Sequence, residues 1–262
     1  MRNGELTIDL NCDMGELPQL YADGTEELLM QQISSANIAC GAHAGSPESM
    51  EALVNLATRY GVAVGAHISY PDRPNFGRRE VSMSADEIEE TIYSQASLLA
   101  KIAADFDVRL SHVKPHGALY HAAQNNELIA GAIAKAVRRI DKDLILVEQA
   151  LSPVLSFWSE MGFPNIAEAF ADRTYEGDGK LRSRDLPQAL ITDPSIAAGQ
   201  TLRIVGEHTV VAHDGSRLGL HAQTICIHGD TPGAVENARS IRAALRGAGI
   251  SVAPTRMWNR TR

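Results

Sequence analysis

Ser111-His112-Val113-Lys114-Pro115-His116-Gly117-Ala118-Leu119-Tyr120-His121 gathers the Lys114 ammonium, the His112 and His116 imidazoles and the Tyr120 phenol around one strand-to-loop transition. Residues 110–116 read as a strand, and a period of two sets His112, Lys114 and His116 on one face with Ser111, Val113 and Pro115 on the other. Pro115 cannot donate to a ladder and Gly117 frees the backbone. The strand therefore ends here and delivers Lys114 and His116 to its carboxyl-terminal mouth. The chain repeats this arrangement about seven times, each strand presenting a polar residue to one shared pocket.

Working backwards, residues 7–13 alternate strictly, with Ile8, Leu10 and Cys12 opposite Asp9, Asn11 and Asp13, and Gly15 closes the strand before a helical pattern over 26–35. Residues 37–43 put Asn37, Ala39, Gly41 and His43 on one face; Ser46-Pro47 then supplies the N-cap and first residue of a helix to Tyr60. Residues 62–67 repeat the design with Ala63, Gly65 and His67. Small residues inside adjacent strands predict a tight interior, as a closed barrel requires. The irregular loop 69–80 also carries Phe76, and its length, Tyr70, Arg78 and Arg79 suit a binding loop over the pocket. Ser84-Ala85-Asp86-Glu87 is a capping box for a long helix to Asp105.

Working forwards, the pattern predicts a helix over 126–140, a buried strand over 144–148 ending on Glu148, a short helix over 153–161, and a strand over 165–172 with Glu168 and Asp172 in phase and Arg173 at its exit. A charged loop, 175–185, carries Arg182 and Arg184. Residues 202–222 break the rhythm and read as a surface hairpin turning at Asp214-Gly215; His208, His213 and His221 face solvent there and are given no role. Residues 224–230 deliver His228 and Asp230, and Thr231-Pro232 opens a last helix to Arg246. Residues 1–250 are expected to form one domain, with 251–262 a loosely structured tail.

Such strand–loop–helix units define an α/β protein with a parallel sheet, closed as a barrel or open and doubly wound, whose ligand binds at the carboxyl ends of the strands. Those ends carry Asp13, His43, His67, His116, Glu148, Asp172, His228 and Asp230. The chain of 262 residues is 44% hydrophobic, enough for a substantial core, and its net charge of −8 without long runs argues against nucleic acid or an anionic membrane as partner. No apolar signal core follows Met1 and no window suits a membrane helix, so a cytoplasmic location is expected. Cys12, Cys40 and Cys226 are an odd, scattered set that fits buried packing in a reducing compartment; a thiolate metal site is the alternative.

Neither a Walker loop nor HExxH occurs. His112 and His116 stand roughly 13 Å apart on a strand and cannot share an ion. Asp13, His43 and His67, from three successive strands, could meet at one divalent metal, or serve instead as hydrogen-bonding and acid–base groups.

Six motifs in order are Asp9-Leu10-Asn11-Cys12-Asp13-Met14-Gly15-Glu16, residues 36–45 (Ala-Asn-Ile-Ala-Cys-Gly-Ala-His-Ala-Gly), Gly65-Ala66-His67 with Ser69-Tyr70-Pro71-Asp72 and Phe76-Gly77-Arg78-Arg79, residues 113–120 (Val-Lys-Pro-His-Gly-Ala-Leu-Tyr), Phe170-Ala171-Asp172-Arg173, and His228-Gly229-Asp230-Thr231-Pro232. Together they closely resemble the LamB/YcsF family, the A subunit of bacterial ATP-dependent 5-oxoprolinase. Ala42, Ile68, Ser46, the stretch 185–189 and Thr192 depart from the family's usual residues. The resemblance implies a seven-stranded barrel similar to those of polysaccharide deacetylases. It also implies hydrolysis of 5-oxo-L-proline to L-glutamate with ATP as co-substrate, in a complex with the B and C subunits; self-association is left open. In that reading Lys114, Arg78, Arg79, Arg173 and Arg184 stabilise phosphate and oxyanion charge, Asp13 or Asp172 with His43 or His67 moves protons, and Asn11, Asn37 and Tyr120 orient the ring. His116 joins the catalytic set; Tyr70, Glu148, His228 and Asp230 join the substrate-binding set. The competing readings are a metal-dependent deacetylase or amidohydrolase acting alone, and a non-catalytic scaffold protein.

Overall fold

The computed structural model describes residues 6–255. β1 (Thr7–Met14) leads through α1 (Pro18–Ala22) and α2 (Thr25–Met30) to β2 (Ser35–Ala39), α3 (Pro47–Tyr60), β3 (Ala63–Ile68), a 3-10 turn at Arg73–Asn75 and α4 (Ala85–Ala104). Next come β4 (His112–Pro115), α5 (Gly117–Asn125), α6 (Glu127–Ile140), β5 (Ile145–Gln149), α7 (Val154–Glu160), β6 (Asn165–Phe170) and α8 (Pro194–Leu202). A π-helical turn, Arg203–Glu207, precedes the separate antiparallel hairpin of β7 (Thr209–Val211) and β8 (Arg217–Gly219); β9 (Thr224–His228), α9 (Ala234–Gly247) and β10 (Ser251–Val252) follow.

β1 to β6 pair in sequence order and in parallel, β6 pairs with β9, and β9 returns to β1 with Asp13 opposite His228, closing a seven-stranded barrel. Strand periodicity explains both surfaces. Leu10, Cys12, Ile38, Val64, Ala66, Val113, Leu146, Ala169 and Ile225 face outward into one continuous core shared with the helices. Asn11, Asn37, His112, Lys114 and Glu168 face inward and bond to one another, Asp9 joins them through Thr224, and Ile145, Val147 and Ile166 form a small separate apolar cluster. The interior is as tight as its small residues suggest: a Cβ built on Gly65 would lie 2.1 Å from His112 Nε2.

The capping signals hold. Ser46 and Ser49 exchange side-chain and backbone hydrogen bonds at the start of α3, Ser84 and Glu87 do so at α4, and Asn126 caps α6. The pattern over 26–35 does not stay helical, because Ser34 and Ser35 turn into the barrel and donate to Asp9 Oδ1. The pattern does not predict α5 or α8. Ser251 and Val252, expected in a loose tail, instead pair in parallel with Thr7 and Ile8; residues 256–262 of that tail lie outside the described residues. His208, His213 and His221 are exposed, as expected, although the first and last stack with ring centroids 4.3 Å apart. No helix among the described residues is long and apolar enough to cross a membrane.

Candidate active site

The carboxyl ends of the strands open into a cavity of about 460 Å³ whose walls include Asp13, Glu16, His67, Arg78, Lys114, His116, Tyr120, Phe170, Arg173, Arg184, His228 and Asp230. Widely separated motifs thus meet at one rim.

Lys114 is the hub. Its buried ammonium lies 2.9 Å from Asp13 Oδ1 and 2.8 Å from Glu168 Oε1, and it also donates to Cys226 Sγ at 3.3 Å. The carboxylates are held in turn: Asn37 Nδ2 donates to Asp13 Oδ1 at 2.7 Å, Asn11 Nδ2 to Glu168 Oε1 at 3.0 Å, and Tyr120 Oη to Glu168 Oε2 at 2.9 Å. Burial opposes charge here, but the Asp13 and Glu168 carboxylates outweigh it and keep the Lys114 ammonium far above its ordinary pKa; burial similarly opposes Asp13, whose carboxyl His67 and Lys114 hold well below the usual range. Burial pushes the Cys226 thiol well up, so it is a neutral packing partner.

Beside this hub, Glu16 Oε1 sits 3.0 Å from His43 Nε2, 3.0 Å from His116 Nδ1 and 3.4 Å from His67 Nε2. The loop 69–80 closes over the group: Phe76 O lies 2.9 Å from His116 Nε2, and the Phe76 ring meets His43 and His116 edge-on. Gly77, at φ +65°, passes so close that an added Cβ would stand 2.9 Å from His43 Cβ and 3.0 Å from His116 Cδ2. Burial would strip His67 of its proton, yet the Asp13 and Glu16 carboxylates lift it to about 9; at His43 burial prevails and lowers it to about 4. The donor atoms of Glu16, His43, His67 and His116 all lie within 4.8 Å of one another; Asp13 groups instead with Cys226 and His228. The expected trio thus keeps His43 and His67 but meets Glu16 in place of Asp13.

Just after β6, Asp172 is fully buried and accepts from the His228 backbone N at 3.0 Å, His228 Nδ1 at 2.8 Å and Thr231 Oγ1 at 2.7 Å. Asp230 accepts from Arg184 at 2.8 Å and from Arg78 at 3.3 Å. Arg173 is 7% exposed, makes no ion pair among the described residues, and its Nε has no hydrogen-bond partner. Burial, reinforced by Arg184, lowers it to about 10.

Several residues expected to bind substrate sit elsewhere. Asn11 and Asn37 lie below the cavity and hold Lys114, Asp13 and Glu168 rather than lining the wall. Tyr70 is 2% exposed and packs in the apolar core, and Arg79 is exposed off the cavity. Glu148 shares the outward face of β5 with Leu146, so it points under α5, where Gln124 Nε2 and Gln149 N donate to its Oε1. His43 and Asp172 stand directly behind the wall. Glu16, Glu168, Phe76 and Arg182 carry no site role in the sequence reading. Glu16 follows Gly15 at φ +75°, off the strand period, although the first motif contains it.

A closed parallel β/α barrel with acids, bases and cations converging at the carboxyl ends of its strands defines a protein that handles a small polar ligand at that rim. The chain belongs to the LamB/YcsF family, whose model matches residues 8–260. It is 50% identical over 247 residues to the 5-oxoprolinase A subunit of Chloroflexus aggregans, covering 94% of this chain and 98% of that one. It is 44% identical over 245 residues to the 5-oxoprolinase A subunit of Bordetella pertussis, covering 94% and 97%. The crystal structure of the lactam utilization protein from Thermus thermophilus superposes with a TM-score of 0.89 at 40% identity, over 95% of this chain and 100% of that one.

Proposed function

We propose that this chain is the A component of an ATP-dependent 5-oxoprolinase and opens the ring of 5-oxo-L-proline to L-glutamate at the barrel rim, acting with the B and C subunits. The names of relatives 44–50% identical over almost their full length support the substrate and the assembly. The observation that carries the site assignment is Arg173, a buried guanidinium on the cavity wall with no carboxylate in ion-pair contact among the described residues. A buried cation calls for a counter-anion, and the carboxylate of 5-oxoproline supplies one with two oxygens that suit the guanidinium fork.

The lactam is a stable amide, so its carbonyl has to be activated. Transfer of the γ-phosphoryl group of ATP to the lactam oxygen forms an O–P bond, releases ADP and leaves the ring carbon electrophilic. A water molecule then loses a proton to Asp13 and adds to that carbon. The C–N bond breaks as the ring nitrogen takes a proton from His228, whose Nδ1 is anchored by Asp172 and whose ring faces the cavity. The product is γ-glutamyl phosphate, and a second water releases phosphate and L-glutamate. Lys114 stabilises the negative charge that develops beside Asp13, and Arg184 with Arg78 receives phosphoryl oxygens.

Calorimetric titration of 5-oxo-L-proline into the purified chain tests the cavity. One molecule should bind per chain, and Arg173→Ala should weaken binding at least tenfold. Absence of binding at millimolar lactam, or identical affinity in the variant, would refute the assignment. A second reading, an amidohydrolase acting alone, draws on the Glu16–imidazole group; it requires ring opening by this chain without ATP or partners.

A further inference from the structure

The group around Glu16 is short of hydrogen. His67 Nδ1 lies 3.0 Å from the Lys114 carbonyl oxygen and His116 Nε2 lies 2.9 Å from the Phe76 carbonyl oxygen. Carbonyl oxygens only accept, so both nitrogens carry hydrogen, and each ring meets the group through its other nitrogen, His67 Nε2 and His116 Nδ1, which offers a lone pair whenever no proton is held there. Those two lone-pair atoms are 3.0 Å apart. Glu16 Oε1, a third acceptor, lies 3.0 Å from His116 Nδ1 and 3.4 Å from His67 Nε2. A proton on His67 Nε2 can point at only one neighbour and leaves His116 Nδ1 and Glu16 Oε1 facing each other as acceptors at 3.0 Å, whereas a cation among the three atoms serves them all.

The spacing indicates which cation fits. Donors about 2.0–2.1 Å from a tetrahedral ion stand about 3.3 Å from each other, which the separations of 3.0–3.4 Å bracket. Backbone carbonyls on the far ring nitrogens fix tautomer and orientation, as outer partners of metal-ligating histidines do. His43 is different. Its ring is stacked on His116 with centroids 3.9 Å apart and planes within 6°, so one ion cannot lie in both ring planes. Its Nε2, 3.0 Å from Glu16 Oε1, is placed to orient the carboxylate instead.

We propose that His67 Nε2, His116 Nδ1 and Glu16 hold a divalent transition-metal ion, with His43 as a positioning residue outside the coordination sphere. All three ligands line the cavity, whereas His43 does not, so the remaining coordination position faces the ligand space. Asp13 Oδ2, 3.4 Å from His67 Nε2, flanks that open side. Two imidazoles and one carboxylate suit zinc or a neighbouring first-row ion. The proposal does not depend on the lactam reading, and its test reads metal rather than turnover.

The full chain is stripped with chelator, dialysed and titrated with Zn2+, and in parallel with Co2+ followed by its visible absorption. One equivalent of Zn2+ should bind, and Co2+ should give the intense bands of a low-symmetry four- or five-coordinate site. Glu16→Gln and His116→Ala should each weaken Zn2+ at least 100-fold, His43→Ala should weaken it about 10-fold while keeping the cobalt bands, and His208→Ala on the exposed stacked pair should change nothing. Failure of the wild-type chain to bind one equivalent would overturn the proposal and leave a protonated imidazole cluster. So would binding that survives both Glu16→Gln and His116→Ala, or cobalt bands that vanish in His43→Ala.

Discussion

Lys114 is held between Asp13 and Glu168 inside the barrel, so removing its charge leaves two carboxylates facing each other out of water. Lys114→Met should cost about 3–5 kcal/mol of unfolding free energy, measured by urea denaturation; a loss under about 1 kcal/mol would mean the pair is solvated. Glu148 tests the opposite situation. Burial, opposed by hydrogen bonds from Gln124 and Gln149, pushes its carboxyl from near 4.5 up to about 8. A pKa raised on folding adds stability that is complete below about 4.5 and is lost as pH rises through about 8. Between about pH 5 and pH 8 the wild-type chain should therefore lose roughly 3 kcal/mol from this group, and Glu148→Gln should flatten that part of the profile. A parallel profile in the variant would contradict the buried placement. At this scale the sequence is legible wherever a side chain obeys the strand period and stands at or near the end of its strand, as with Asp13, His67 and Lys114. Glu148 is also last in its predicted strand, but an unbroken apolar run gives no parity, so its outward direction is not readable. Asn11 and Asn37 take the predicted face at a different depth: periodicity fixes the side of the sheet, whereas distance from the mouth depends on shear between strands.

Elements that announce themselves by local chemistry lie where the sequence predicts them. α3 and α4 begin at Ser46 and Ser84, whose side chains satisfy free helix N–H groups. α5 starts at Gly117 directly from the strand, with His116 making no side-chain cap, so no start signal exists. α8 does have a capped start, Asp193 before Pro194, but it buries Ala197, Ala198, Gln200 and Thr201 without a clean apolar stripe. Packing of β3 on β4 gives the sharpest test of the barrel's closeness. Gly65→Ala forces a methyl group into the His112 ring, which is pinned to Asn37 Oδ1 at 2.6 Å. It should destabilise the chain by about 3 kcal/mol, read as a lowered thermal midpoint, whereas Ala substitution in a roomy strand would be neutral. An unchanged midpoint would show that the interior is looser than described.

Across the whole molecule, closure of β9 on β1 is what turns scattered motifs into a site. It brings His228 beside Asp13 and sets Arg173, Arg184 and Asp230 around the same cavity as Glu16, His67 and His116. Seven strands and a shared rim follow from the repeated unit, since each strand ends in a chemically useful residue. The resemblance supplies the substrate, which no spacing or charge pattern could. The central claim is that this rim opens the lactam. Its most direct test is glutamate release from 5-oxo-L-proline and ATP by the chain combined with the B and C subunits, comparing wild type with Asp13→Asn, whose amide retains the shape of the carboxylate. Loss of the base should lower kcat by at least about 100-fold with the fold intact. Equal rates for the two proteins, or no glutamate from the wild-type mixture, would contradict the account.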